Sequence, residues 1–165
     1  MFRNILISVD GSPHAEEALR QAIDIAAAGN GRLTILTAVP KTSSWATNPA
    51  AAAVVQSLSD DLEHEFTDVA RHATGEIPGS IPVTTIITHE PIRTALMHQL
   101  EGGKYDLLVM GSRGRGALTA SLLGSVSHYV LNHSKIPVLI VHSEAPAGRE
   151  ADAMPARPAA VASSA

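Results

Sequence analysis

VMGSRGRGALTASLLGSVS, residues 109–127, joins the end of an apolar strand to the start of an amphipathic helix. Leu107-Leu108-Val109-Met110 reads as strand, and Gly111 breaks it. Gly114 and Gly116 follow in a short loop that also carries Arg113 and Arg115. After nine intervening residues Gly114 is answered by Gly124 and Ser125, giving G-x2-G-x9-G-S. Glycines let the backbone turn through positive φ and let a ligand come close to the main chain. Free N–H groups at a helix start, with the helix dipole behind them, favour an anion. The Ser125 hydroxyl adds a donor and the two arginines add positive charge, so the pattern suits phosphate. The plain alternative is a glycine-rich connection capping a helix, with two solvated arginines. The loop is not a P-loop, because no Gly-Lys-Ser/Thr occurs, and G-x-G-x-x-G does not follow the first strand.

Working outward, Ile5-Leu6-Ile7-Ser8-Val9 is a short apolar run of the kind found in buried parallel strands. Asp10-Gly11-Ser12-Pro13 ends it, with Ser12 as helix N-cap and Pro13 at the first helical position. Ala15, Ala18, Leu19, Ala22, Ile23 and Ala26 then recur at helical spacing until Gly29-Asn30-Gly31. A second strand, Leu33-Thr34-Ile35-Leu36-Thr37-Ala38-Val39, stops at Pro40. The loop over residues 41–49 holds Trp45 and is long for this kind of domain. A second helix carries Leu58, Leu62, Phe66, Val69 and Ala73 on one face. A third strand spans Val83–Thr88, and a third helix carries Ile92, Ala95, Leu96 and Leu100 before Gly102-Gly103. The fourth strand, residues 105–110, enters the glycine loop; a last helix over Ser125–His133 leads to a fifth strand, Pro137-Val138-Leu139-Ile140-Val141.

Strands alternating with helices imply an α/β fold, a parallel sheet with right-handed crossovers and helices on both faces. Ligands of such sheets sit beyond the C-terminal strand ends where strand order reverses. Strands one and four both end in polar or glycine-rich turns, which places Asp10 and Gly111 at one crevice. Residues 1–144 read as one domain and 145–165 as a disordered Ala/Pro-rich tail.

Composition narrows the function classes. The 165 residues contain no cysteine, so a disulfide framework and a Cys-based zinc site are excluded. A net charge of −4 argues against general nucleic-acid binding, as does the absence of an aromatic platform among only 3% aromatics. No apolar run reaches membrane-spanning length and Met1-Phe2-Arg3-Asn4 leaves no room for a signal peptide, so a cytoplasmic protein is expected. The eight histidines show no metal-ligand spacing, and Gly-x-Ser-x-Gly is absent, which leaves Ser125 without the surroundings of an acyl-transfer nucleophile. Asp10 is the one carboxylate placed at the crevice; it either meets a ligand or starts a turn before Gly11.

Val9-Asp10-Gly11-Ser12, Leu108-Val109-Met110-Gly111, G-x2-G-x9-G-S and the final Pro137-Val138-Leu139-Ile140-Val141 together resemble the universal stress protein family. The likeness runs from Phe2 to Val141 and is far more specific than the glycine loop alone. It implies an open five-stranded, Rossmann-like sheet of order 3-2-1-4-5, and ATP as ligand, since members with this glycine pattern bind it. Carried over, Val9 and Val39 line the adenine pocket, and Asp10 reaches the ribose or a Mg²⁺ near the phosphates. Met110 and Gly111 lie by the ribose, while Gly114, Gly124, Ser125 and Val126 hold the phosphates with Arg113 and Arg115 within reach. His89 departs from the family, many of whose members have glycine before the acidic residue and proline; its side chain is expected to narrow the crevice. The function implied is an ATP-binding regulatory module with slow hydrolysis or none. An ATPase or nucleotidyl transferase of the same fold is the first alternative, a nucleotide-free scaffold the second. In the implied order the apolar fifth strand lies at a sheet edge, where pairing with a second copy makes a homodimer.

Overall fold

The computed structural model describes residues 1–42, 48–115 and 123–143. Strands and helices alternate along them: β1 (Asn4–Ser8), α1 (Pro13–Gly29), β2 (Arg32–Ala38), α2 (Pro49–Gly75), β3 (Val83–Thr88), α3 (Ile92–Glu101), β4 (Leu107–Gly111), α4 (Ser125–His133) and β5 (Val138–Val141). The five strands form one sheet in the order β3-β2-β1-β4-β5, and each neighbouring pair is parallel. This is the expected open, Rossmann-like α/β sheet. Trp45, Gly116 and the tail over 145–165 lie outside the described residues.

Alternation of side chains across each strand sorts the core into two layers. Ile5, Ile7, Leu33, Ile35, Leu107 and Val109 pack against α1 and the C-terminal end of α2. Leu6, Leu36, Leu108 and Met110 pack on the opposite face against α3 and α4. Each such aliphatic side chain contributes about 1.5–3 kcal/mol when fully buried. β1 sits in the middle, bonded to β2 on one side and β4 on the other, with Ser8 opposite both Leu36 and Met110. The chain leaves β1 in one lateral direction to build β2 and β3, then returns to the other side to build β4 and β5. Strand order therefore reverses between β1 and β4, where a crevice opens past their C-terminal ends.

Local chemistry sets the helix ends. Ser12 adopts an extended conformation and its Oγ accepts the Ala15 N–H at 3.3 Å, with Pro13 opening α1. At the other end the left-handed position falls on Asn30, φ 48°, and not on a glycine. Gly29 is occupied differently: a Cβ there would lie 2.5 Å from the Phe2 carbonyl oxygen, so the helix end and the segment that precedes β1 need glycine to approach. Asparagine is the residue that tolerates the left-handed turn next to it.

One helix face differs from the periodicity. Leu58 is 52% exposed and Val54 70%, Leu62 is half-buried, and the enclosed residues of α2 are Phe66, Ala70 and Ala73. Length explains this. The 27 residues of α2 span about 40 Å, whereas the six- and seven-residue strands beneath it span about 20–23 Å. The N-terminal turns of α2 overhang the sheet.

Candidate functional site

The crevice between the ends of β1 and β4 is a cleft of about 1290 Å³. Of the expected site residues, Val9, Asp10, Met110, Gly111, Arg113 and Gly114 line it, as do Arg115, Gly124, Ser125 and Val126. Val39 does not. It is buried, and its neighbours Ala38 and Pro40 face the cleft instead, as side-chain alternation at a strand end requires. His89 does not line it either: its Nε2 lies 2.6 Å from Glu63 Oε2, so the ring is held against α2 and does not narrow the crevice.

The α4 end of the cleft is built from unsatisfied backbone. Gly124 caps α4 with extended φ/ψ and no side chain bonds to the helix start. The Gly124 N–H is used, donating to the Ser112 carbonyl at 2.7 Å. The next N–H groups, on Ser125, Val126 and Ser127, have no partner within the helix and face an anion-favouring dipole. Ser127 was not singled out from the sequence. Its buried Oγ donates to the Gly111 and Ser112 carbonyls at 3.0 and 3.3 Å, tying the first turn of α4 to the end of β4. A serine two residues after Ser125, on the inward side of a helix start, is the signal that could have found it.

Asp10 braces the loop. Its Oδ1 accepts the Ser12 N–H at 3.0 Å and its Oδ2 accepts the Arg115 N–H at 3.1 Å. The first bond is the Asx turn that an Asp before glycine favours; the second crosses from the β1 turn to the glycine loop. Gly11 in that turn has φ 75°. The other glycines have another reason. A Cβ at Gly114 would meet Asp10 Oδ2 at 2.6 Å, and one at Gly111 would lie 2.8 Å from His14 backbone and side-chain carbons. Gly111, Gly114 and Gly124 do not use positive φ; they let chain segments meet.

The two loop arginines diverge. Arg115 forms an ion pair with Glu65 of α2, and its guanidinium lies 4.8 Å above the centre of the Phe66 ring. Arg113 is half-buried, and its Nε has no hydrogen-bond partner among the described residues although it is shut off from water. An unpaired buried donor is costly. Arg93, Arg113 and Arg115 line the cleft together with His128 and His133, while Asp10 is the only carboxylate among the described lining residues. A chain of net charge −4 thus gathers positive charge here.

His14 lies under the loop. Its Nδ1 accepts the Ser143 N–H at 2.7 Å, which places the proton of the neutral ring on Nε2. Burial holds its pKa below the ordinary histidine value; Arg113 and His142 push the same way and Asp10 opposes them. Among the described residues, no group of three or more His, Asp or Glu side chains is placed to hold a metal ion by itself.

Comparison with known proteins bears on this geometry. The model of the universal stress protein family matches residues 1–142. Universal stress protein YxiE of Bacillus subtilis is 34% identical over 152 residues, covering 86% of this chain and 99% of its own length. A universal stress protein of Mycolicibacterium smegmatis is 30% identical over 85% of this chain, which spans 48% of that longer protein. A solved universal stress protein in complex with cAMP superposes with a TM-score of 0.59 at 29% identity, over 86% of this chain and 97% of its own. No described helix is long and apolar enough to cross a membrane.

Proposed function

Because this chain belongs to the universal stress protein family, we propose that it is a regulatory module that binds ATP in the cleft between β1 and β4. One observation carries the reading. The start of α4, where Gly124 caps without any side-chain hydrogen bond, and the Arg113 side chain line the same cleft with Ser125 and Val126. Backbone N–H groups and a guanidinium are what a phosphate chain needs. The apolar side of the cleft, at Val9, Ala38, Pro40 and Met110, suits an adenine. The solved relative that holds cAMP supports an adenine nucleotide as the ligand class.

Mg²⁺ fits the same reading. It is commonly bound by one or two carboxylates together with substrate phosphates, and Asp10 is the carboxylate of the cleft. Phosphoryl transfer requires metal, charge and an oriented nucleophile at once. Asp10 is the only carboxylate among the described lining residues, and both its oxygens already accept backbone N–H bonds, which favours retention of the nucleotide over rapid turnover. Calorimetric titration with ATP, with and without Mg²⁺, and with AMP and cAMP tests this. Saturable binding with ATP tightest is expected. No heat and no thermal shift at millimolar ATP refutes the reading, and binding of cAMP alone refutes the triphosphate.

The module is proposed to act as a homodimer through β5, in a domain that ends near residue 144. Among the described residues β5 pairs only with β4, and it presents Val138, Leu139 and Ile140 half-buried at a sheet edge. An uncharged edge strand invites pairing, and antiparallel contact with the same strand of a second copy closes a two-fold. Light scattering on the full chain and on the chain ended after Ser143 checks it. A dimer in both is expected; a monomer in both refutes the pairing.

A further inference from the structure

The cleft continues past the α4 start. At about 1290 Å³ it exceeds the roughly 300–1,000 Å³ that encloses one drug-sized ligand. The surplus runs along the groove between α3 and α4, where Ile92, Arg93, His128, Tyr129, Asn132 and His133 form the lining. From Ser125 to His133 this wall extends about 12 Å along the helix axis. Its chemistry is uniform. The Arg93 guanidinium lies 5.5 Å from the centre of the Tyr129 ring, and the Tyr129 and His133 rings stack at 4.1 Å. His133 Nδ1 lies 2.7 Å from the Tyr129 carbonyl oxygen, which fixes the imidazole plane along the helix. Arg93 and His133 are exposed and so can take a further layer, and no carboxylate lines this part of the groove among the described residues.

Planar guanidinium and imidazole surfaces stack nucleobases. A wall with these groups, continuous with a phosphate-binding helix start, is suited to a second nucleoside on the same phosphate chain. We propose that the α3–α4 end of the cleft is a second nucleoside subsite, so that the protein takes dinucleoside polyphosphates, two nucleosides joined through their 5′-phosphates. The inference rests on the adenine-nucleotide reading of the α4 start, and it adds a ligand class that a single mononucleotide pocket would not favour.

The test compares diadenosine tetraphosphate with adenosine 5′-tetraphosphate, which carries the same phosphate count without the second nucleoside. Competition against a fluorescent ATP analogue gives both affinities. The dinucleotide is expected to bind tenfold tighter or more. In Arg93→Ala/His133→Ala the two affinities are expected to converge, with ATP titrated in the same variant as reference. Both side chains are on the surface, so the fold survives their removal. Equal affinities in the unaltered protein overturn the subsite, and so does a tenfold gap that persists in the double variant. If ATP binds and the gap is absent, this inference alone fails. If no adenine nucleotide binds, the proposed function fails with it.

Discussion

Gly114→Ala is expected to destabilise the nucleotide-free protein through one short contact. The added Cβ lies 2.6 Å from Asp10 Oδ2, well inside van der Waals distance. That oxygen accepts the Arg115 N–H at 3.1 Å, and the other carboxylate oxygen accepts the Ser12 N–H at 3.0 Å. The carboxylate cannot turn from the new methyl without weakening one of these bonds. Inserting a methyl into a packed site costs about 1–3 kcal/mol, and a charge-assisted bond contributes about 1.5–3 kcal/mol when enclosed. The loop is partly open to water, so the lower end of each range applies and the two overlap in one event, giving about 1–2 kcal/mol. At roughly 2–4 °C per kcal/mol the melting temperature falls by about 2–8 °C. The decisive assay is a double-mutant cycle by thermal unfolding, with Gly114→Ala made in the unaltered chain and in Asp10→Ala. With the carboxylate gone the methyl has no non-adjacent neighbour within 4 Å among the described residues, so the second cost should shrink below about 0.5 kcal/mol. A melting temperature unmoved by Gly114→Ala, or an equal loss in both backgrounds, refutes the reasoning.

Gly124→Val is expected to lower ATP affinity tenfold or more, about 1.4 kcal/mol, by calorimetry. A Cβ at Gly124 would lie 3.3 Å from the Ser112 carbonyl oxygen, a tight contact, so thermal unfolding of the variant is measured beside the titration; unchanged affinity in the folded variant would place the ligand elsewhere. Ser127→Ala removes the hydroxyl that donates to the Gly111 and Ser112 carbonyls and should cost about 1–3 kcal/mol in denaturant unfolding; no change in midpoint would show those bonds to be replaceable. His14 gives a pH dependence. Its folded pKa lies below the unfolded value of about 6.5, so the unfolded chain binds more protons in that window and stability is lost as pH falls through it. His14→Gln should flatten the decline in melting temperature between about pH 7 and pH 5; identical slopes in both proteins would rule His14 out as the group.

The fold was legible because each strand is a short apolar run closed by a turn residue, and each helix a 3.6-residue periodicity. The bounds of β3 and α4 match the sequence reading residue for residue, Val83–Thr88 and Ser125–His133; β1 and β2 shift by one residue, β5 starts one residue later, and Gly111, read as breaking β4, is its last residue, paired with Val141. Strand order could not be read from the runs alone, since nothing in Val138-Leu139-Ile140-Val141 says which neighbour it takes; the family likeness supplied it. Leu58 was misplaced because periodicity describes a helix face and not what lies beneath it: a 27-residue helix outruns a seven-residue strand.

At the site, residue types were legible and partnerships were not. The glycines looked like places where the backbone must bend or a phosphate must approach, yet at Gly114 the near neighbour is Asp10, 104 positions away in the chain. The same contact changes what Asp10 means. Read alone, it was either a turn starter or a ligand contact; folded, it starts the Ser12 turn with one oxygen and holds the glycine loop with the other. A carboxylate locked by two backbone N–H groups is pre-set in position, so a ligand meeting it loses little entropy in orienting it. Each oxygen spends one lone pair on the loop and keeps one for a ligand. Arg115 is bound into the same arrangement from the other side, its N–H on Asp10 and its guanidinium on Glu65 and Phe66. Arg113, whose Nε is left without a partner among the described residues, is then the loop arginine with donor capacity to spare. The division of labour follows: Asp10 and Arg115 hold the loop in shape, and Arg113 with the start of α4 is left for the phosphates that the proposed function puts in the cleft.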